Sequence, residues 1–220
     1  MRIRVDKKYF GDMQFYKKAL VIGIPVMLQS LIQSLVSLID SFMVSGLGDI
    51  KMSGVNISGQ VLFIFMILQG AVCTSGGIFL TQFSGAKDKE GMQQSFAFKL
   101  VTSFSLAFVY FLVTMVFTRK ILSLMVIGNT QAALILDQGE EYMFLMGFIG
   151  LQSIISYIIA SSYREIGKVK VPLIISVTAA LINTILNYGL INGNLGMPRL
   201  EVKGAAYATI IAKTIEMILL

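Results

Sequence analysis

Residues 19–44 read ALVIGIPVMLQSLIQSLVSLIDSFMV. A helix needs about 20 apolar residues to cross the hydrocarbon core of a bilayer. This run is long enough, and it holds a single carboxylate, Asp40, near its end; Gln29, Gln33 and a few serines are its other polar interruptions. A charged side chain at mid-helix costs roughly 2.5–3.5 kcal/mol on insertion scales, so an acid in such a segment is a functional-site candidate by default. The stretch points to an α-helical membrane protein that moves something across the bilayer.

Composition agrees. Of 220 residues, 55% are hydrophobic and 14% charged, and the mean hydropathy is +0.78, values of a polytopic membrane protein rather than a soluble domain. A signal peptide does not explain them, because apolar runs recur along the chain. The expected fold is an all-α transmembrane bundle of six spans, at about 19–44, 58–84, 96–117, 142–163, 171–191 and 204–220. The last stops while still apolar, as a truncated chain would.

The chain has no His and one Cys, Cys73, which excludes histidine-based catalysis, histidine metal sites, zinc clusters and internal disulfides. Residues 85–90 read GAKDKE and lack the GK[ST] ending of a phosphate-cradling loop, so ATP is not supported as an energy source. A pI near 9.4 raises the question of nucleic acid, but the basic residues are scattered over short loops, which positive-inside asymmetry explains better.

That asymmetry sets an orientation. Arg2, Arg4, Lys7, Lys8, Lys17 and Lys18 precede the first span; Lys87, Lys89 and Lys99 flank the second-to-third connection; Arg164, Lys168 and Lys170 occupy the fourth-to-fifth. These twelve outnumber the five of the opposite connections, Lys51, Arg119, Lys120, Arg199 and Lys203, so both termini are expected in the cytoplasm. Residues 1–18 mix Tyr9, Phe10, Phe15 and Tyr16 with lysines, the pattern of a basic amphipathic segment on an anionic inner leaflet and equally of a plain positive flank.

Depth follows at about 1.5 Å per helical residue. Asp40 lies about 6 Å beneath the outer boundary, Asn187 roughly 6–8 Å and Thr209 about 8 Å. Asn183 projects from the same face as Asn187, one turn deeper. An acid, an amide and a hydroxyl from three helices thus share one depth, with a second amide a turn below. Apolar surroundings favour a neutral carboxyl, and hard cations prefer oxygen ligands, so the set suits either a proton or a sodium ion. The alternative is a helix-end acid reaching interfacial water beside asparagines that serve as packing glue.

Five stretches then carry a resemblance: LQSLIQSLVSLIDSFMVSGLG at 28–48, QFSGAKD at 82–88, YREIGKVKVP at 163–172, NTILNY at 183–188 and GMPRLEVKGAAYAT at 196–209. In this order they resemble the multidrug and toxic compound extrusion (MATE) transporters over essentially the whole chain. The resemblance implies one six-helix lobe of a twelve-helix, two-lobe protein of the cell membrane, lacking its carboxy-terminal lobe. It implies export of amphipathic cations driven by inward flow of protons or sodium ions, with no cofactor and no enzymatic activity. It makes Asp40 the acid of the ion-coupling site, with Asn183, Asn187, Ala205 and Thr209 beside it, and Gln33 a cavity-facing position. Two positions depart from the pattern: Asn187 stands where some members have aspartate, and Glu201 where a small residue is usual.

Gln152, Ser153, Ser156 and Tyr157 pair at i, i+4 in the fourth span; they line the cavity or hydrogen-bond between helices. Thirteen Met and fifteen Phe offer adaptable apolar surface for varied ligands, most of it expected against lipid or other helices. Gly76 and Gly77 are expected to interrupt the second span and Pro25 to bend the first. Two other classes stay open. A lipid-linked oligosaccharide flippase of related fold would carry more Lys and Arg inside the spans, and a membrane scaffold would not need Asp40.

Overall fold

The computed structural model describes residues 11–220. Arg2, Arg4, Lys7, Lys8, Tyr9 and Phe10 of the expected basic segment lie outside the described residues. Seven helices make up the regular structure of the rest: α1 (Met13–Ser45), α2 (Asp49–Ala86), α3 (Lys89–Val116), α4 (Thr118–Met125), α5 (Ala132–Glu165), α6 (Lys170–Asn192) and α7 (Glu201–Leu219). An all-helical fold is what hydrocarbon demands, since a helix satisfies its own backbone polar groups. Five helices, α1, α2, α3, α5 and α6, are long and apolar enough to cross a membrane. The run at 204–220 falls in α7, whose 19 residues include Glu201, Lys203, Lys213 and Glu216.

Turn chemistry explains the helix ends. Between α2 and α3, Lys87 takes a left-handed conformation (φ 57°), and the Asp88 carboxylate accepts from the amides of Glu90 and Gly91, both at 3.1 Å. Residues 85–90 are thus a tight helix-to-helix turn with an N-cap. Gly167 and Gly193, at φ 80° and 77°, close α5 and α6 in a backbone region that glycine enters freely. Pro25 lies inside α1, which runs through it unbroken.

α5 is the central post. On one side Phe65 and Cys73 of α2, Ala107 and Tyr110 of α3 and Leu122 of α4 pack with its Met143, Ile154 and Ile158, and the Phe65 and Tyr110 rings stack at 4.2 Å. On the other, Tyr142, Met146 and Ile149 meet Val44 of α1, Ile191 of α6 and Val202, Ala205 and Ala206 of α7. Small residues permit the closest approaches, as usual for helices in lipid. A Cβ on Gly54 of α2 would lie 2.8 Å from Gln138 Cβ and 2.9 Å from the Gly139 nitrogen of α5, and Ser58 Oγ donates to the Gly139 carbonyl at 2.8 Å.

Gly76 and Gly77 do not interrupt α2, contrary to the expectation. They make room for a buried ion pair: a side chain on Gly76 would run into Lys99, and one on Gly77 into the Glu165 carboxylate. Lys99 is not a loop cation but 0% exposed. Its Nζ donates to Glu165 Oε1 and Oε2 at 2.9 and 2.8 Å, to Ser161 Oγ at 2.7 Å and to Ser162 Oγ at 3.0 Å, so every ammonium proton has an acceptor between α3 and α5. At the opposite end Glu201, with a strained φ of 53°, pairs with Lys51 of α2 and Arg199. The Lys51 hydrogen bond holds its carboxyl below the ordinary value. That pair favours the folded state above the usual carboxylate range and fades as pH falls through it.

Breaking the buried pair from one side leaves an uncompensated charge, which costs about 3–5 kcal/mol. Lys99→Met is expected to lower the thermal midpoint markedly, and Lys99→Met combined with Glu165→Met to restore most of it. Cys73, 2% exposed, reports the transition through its reaction with a thiol-reactive fluorophore. A double variant as unstable as the single one would contradict this account.

Candidate functional site

A cavity of about 1010 Å³ opens along the polar faces of α1, α5, α6 and α7, with Phe63 and Met66 of α2 on its wall. Of the three groups read from sequence at one depth, Asp40 and Thr209 line it and Asn187 does not; Asn183, read one turn deeper, lines it as well. Asn187 Nδ2 donates to Asp40 Oδ1 at 2.6 Å. The Asn183 amide finds partners in both of its orientations. In one, Nδ2 donates to Thr209 Oγ1 at 3.4 Å and Oδ1 accepts from Asn187 at 3.3 Å. In the other, its NH2 group faces Asp40 Oδ1 and Oδ2 at 3.2 and 3.3 Å. Thr209 Oγ1 donates to the Ala205 carbonyl at 3.0 Å, so Ala205 joins the cluster through its backbone.

One atom is left over. Asn187 is 1% exposed, yet its Oδ1 has no hydrogen-bond partner. A buried acceptor without a donor is costly, about 1–3 kcal/mol. Here it stands beside a carboxylate, two further amide or hydroxyl oxygens and no cationic side chain of the cluster. That donor set fits a small hard cation or a proton. No grouping of three or more His, Cys, Asp or Glu occurs among the described residues, so a soft or transition-metal site has no basis there.

The other expected cavity residues divide. Gln33, Ser153, Ser156 and Tyr157 line the cavity; Ser156 Oγ is buried without a partner. Gln152 does not line it. Its Nε2 turns to α7 and donates to Thr214 Oγ1 and, at 3.5 Å, to the Ile210 carbonyl, which corrects its cavity assignment to an interhelical tie.

A second polar level went unread in the sequence. Gln29 Nε2 donates to Ser176 Oγ at 2.8 Å, Ser176 Oγ donates to Glu216 Oε1 at 2.9 Å, and Lys213 Nζ pairs with Glu216 Oε2 at 2.7 Å. Arg164 donates to Gln29 Oε1 at 3.4 Å. All five residues line the same cavity. Gln29 and Asp40 on α1, like Ser176 and Asn187 on α6, are eleven residues apart. Eleven residues make just over three whole turns, about 16 Å of rise, so each helix carries its two polar side chains on one face. The detectable signal was this shared spacing.

Comparisons with known proteins are consistent with this architecture. The MatE family profile matches residues 25–189. The probable multidrug resistance protein NorM of Thermotoga maritima is 24% identical over 218 residues, 97% of this chain and 46% of that protein. The multidrug export protein MepA of Staphylococcus haemolyticus is 23% identical over 94% of this chain and 44% of its own length. The chain spans about half the length of the curated relatives it matches. Among solved structures, an outward-facing multidrug resistance MATE family transporter superposes with a TM-score of 0.78 at 22% identity, over 92% of this chain and 43% of that one. A MATE structure in the bent conformation gives 0.78 at 22% identity, over 93% and 44%. At these identities the structures speak for the fold alone.

If Asn187 is what holds the Asp40 carboxylate, Asn187→Leu strands that acid among apolar groups. A loss of roughly 1–3 kcal/mol is expected, read as an earlier midpoint when the protein in mixed micelles is titrated with sodium dodecyl sulfate. An unchanged midpoint would mean that Asp40 finds other partners.

Proposed function

This chain belongs to the MatE family, a family of multi-pass membrane transporters and not of enzymes, and on that premise we propose that it forms one lobe of a cation-coupled antiporter that exports amphipathic, often cationic, drugs by alternating access. In this reading α7 is the sixth span, a carboxy-terminal lobe completes a twelve-helix protein of the cell membrane, and the amino terminus is cytoplasmic. The Asp40 level then lies toward the outside and the Glu216 level toward the inside.

The observation that carries the reading is the half-buried Asp40 carboxylate, held by an Asn187 amide whose own Oδ1 is buried without a partner, on a cavity large enough for a drug-sized ligand. A sodium ion would be held by Asp40, Asn183, Asn187 and Thr209, with the Ala205 carbonyl close by; a proton would reside on Asp40. Either ion removes the negative charge from α1, and with it the strongest reason for the Asn187 amide to donate there. Uptake therefore changes how α1 is held against α6 and α7. Because an ion shifts a conformational equilibrium only by its unequal affinity for the two states, the hydrogen bonds between these helices must differ between the outward- and inward-facing forms. The drug leaves as the cavity wall rearranges. With one carboxylate at this level, one monovalent cation per cycle neutralises it.

The test is ethidium efflux from cells carrying the complete protein, wild type against Asp40→Asn, with the proton and sodium gradients collapsed separately. Efflux is expected to stop with one gradient only, and Asp40→Asn to lower the initial rate by at least about tenfold, the 1.4 kcal/mol equivalent of one decade, with membrane insertion intact. Normal efflux from correctly inserted Asp40→Asn would remove the acid from the coupling site.

If sodium is the ion, it should also protect the resting protein. Ligand at about 100 times its Kd adds roughly 2.7 kcal/mol. Sodium but not potassium is then expected to slow Cys73 labelling in the wild type and to have no effect in Asp40→Asn. Equal protection by both salts would favour the proton.

A further inference from the structure

The cavity has a charge pattern that a site for plain cations does not need. Four ionised side chains line it: Asp40 at one level, and Arg164, Lys213 and Glu216 at the other. Glu216, 5% exposed, is already committed, to Lys213 at 2.7 Å and to Ser176 at 2.9 Å. Glu165, the chain neighbour of Arg164, faces the opposite way and is committed to Lys99 at 2.8 Å. Among the described residues no carboxylate lies within ion-pair distance of Arg164. Its one side-chain acceptor is the Gln29 amide oxygen at 3.4 Å. The level around Glu216 therefore carries a net charge of +1, about 16 Å by helical rise from a level that carries −1.

Arg164 lies in the last turn of α5, where a cation complements the helix dipole, and a residue with only that role has no need of the cavity. This one turns into it, and the chain Arg164–Gln29–Ser176–Glu216–Lys213 ties its position to α1, α6 and α7. A guanidinium has five N–H donors in a planar fork, and Gln29 takes one of them. The fork matches the two oxygens of a carboxylate or phosphate. Between the two charged levels the wall alternates apolar side chains, Val36, Ala160, Ala179 and Ala212, with uncharged polar ones such as Gln33 and Ser156.

We propose that Arg164 is a specificity-determining residue of this cavity, binding the oxyanion of amphipathic ligands whose apolar body lies along the wall toward Asp40. The proposal rests on the export reading and narrows it: among the amphipathic substrates, those that carry a carboxylate or another oxyanion, alone or beside a cationic group, bind more tightly than cations without one.

Rhodamine 110 has a free carboxylate and rhodamine 123 is its methyl ester, so the two dyes isolate that group. Fluorescence anisotropy of each dye, titrated with the complete protein in phosphatidylcholine nanodiscs, measures the preference without requiring transport. The wild type is expected to bind rhodamine 110 at least about tenfold more tightly, the ratio that 1.4 kcal/mol supplies. Arg164→Gln should bring the ratio to about one, and Arg164→Lys, which keeps the charge and loses the fork, should retain part of it. Equal affinities in the wild type, no binding of either dye, or a preference that survives Arg164→Gln would overturn the proposal. The wild-type ratio decides even if a variant misfolds. Repeating the titration with phosphatidylglycerol in the disc identifies the source of the oxyanion: displacement of rhodamine 110 supports a lipid phosphate at Arg164, and no displacement supports a free amphiphile. Binding with this preference but without efflux of any dye would leave the Arg164 site standing and remove the export reading.

Discussion

Hydrocarbon offers no partner to a polar atom, so each polar side chain in these helices must find one inside the protein or stand beside a water-filled space. The chain meets that constraint in two ways. Around Lys99 it does so completely: the ammonium has two serine oxygens and a bidentate carboxylate, packed over two glycines whose missing side chains leave the room, while Gln69 Oε1 and Tyr110 Oη nearby in α2 and α3 are buried without a partner. Among α1, α5, α6 and α7 it does so only in part. Asn187 Oδ1 and Ser156 Oγ have no partner, and Arg164 has a single amide oxygen. Closed polar clusters hold a bundle together. Open ones, gathered on one cavity, are where a ligand or ion has something to gain.

This difference between helices also separates what the sequence made legible from what it did not. Asp40, Asn183, Asn187 and Thr209 were readable because each is isolated in an apolar run and its depth can be counted from a helix end. Lys213 and Glu216 follow the same run of small apolar residues, but a window that averages over them treats two opposite charges as a modest loss of hydropathy. Their pairing is local to α7 at i, i+3, but its link to α1 appears only when α6 supplies Ser176. Arg164 was counted as a loop charge because the fourth span was closed at 163, where hydropathy falls, and Lys99, inside the third span, was counted with the flank of the connection before it. The helices run further than that: α2 starts at Asp49 and α5 at Ala132, because hydropathy marks the part of a helix matched to lipid and not the part that projects beyond it. The same averaging hid α4, whose TRKILSLM is too short and too polar for a span. Gln152 was misplaced for a rotational reason: at i, i+4 from Ser156 it shares a helix stripe, yet a long side chain at the stripe's edge reaches α7 instead.

The two polar levels give α1 an unusual attachment. Gln29 and Val44 are its only buried residues among those described, and apolar side chains such as Leu28, Leu31, Leu35 and Phe42 are exposed along most of its length. In lipid such a face gains little from either position of the helix, because tails and neighbouring helices are equally apolar. The preference of α1 for one arrangement thus falls largely on its polar contacts, Gln29 with Ser176 and Arg164 at one end and Asp40 with Asn187 at the other.

A helix held at two points separated by about 16 Å of rise responds to a change at either point by pivoting on the other. Small differences of free energy suffice, since the apolar face is nearly indifferent and a charge-assisted hydrogen bond is worth about 1.5–3 kcal/mol. In the proposed cycle the ion acts at the Asp40 level and an oxyanion at the Arg164 level, so both ligands address the same helix through different ends. Linkage then requires that the effect be mutual: if neutralising Asp40 alters the position of Gln29, and with it the setting of the Arg164 fork, occupancy of Arg164 alters ion affinity at Asp40 by the same factor. Exchange of one ligand for the other needs no direct contact between them, only an α1 whose two polar ends cannot both keep their best partners at once.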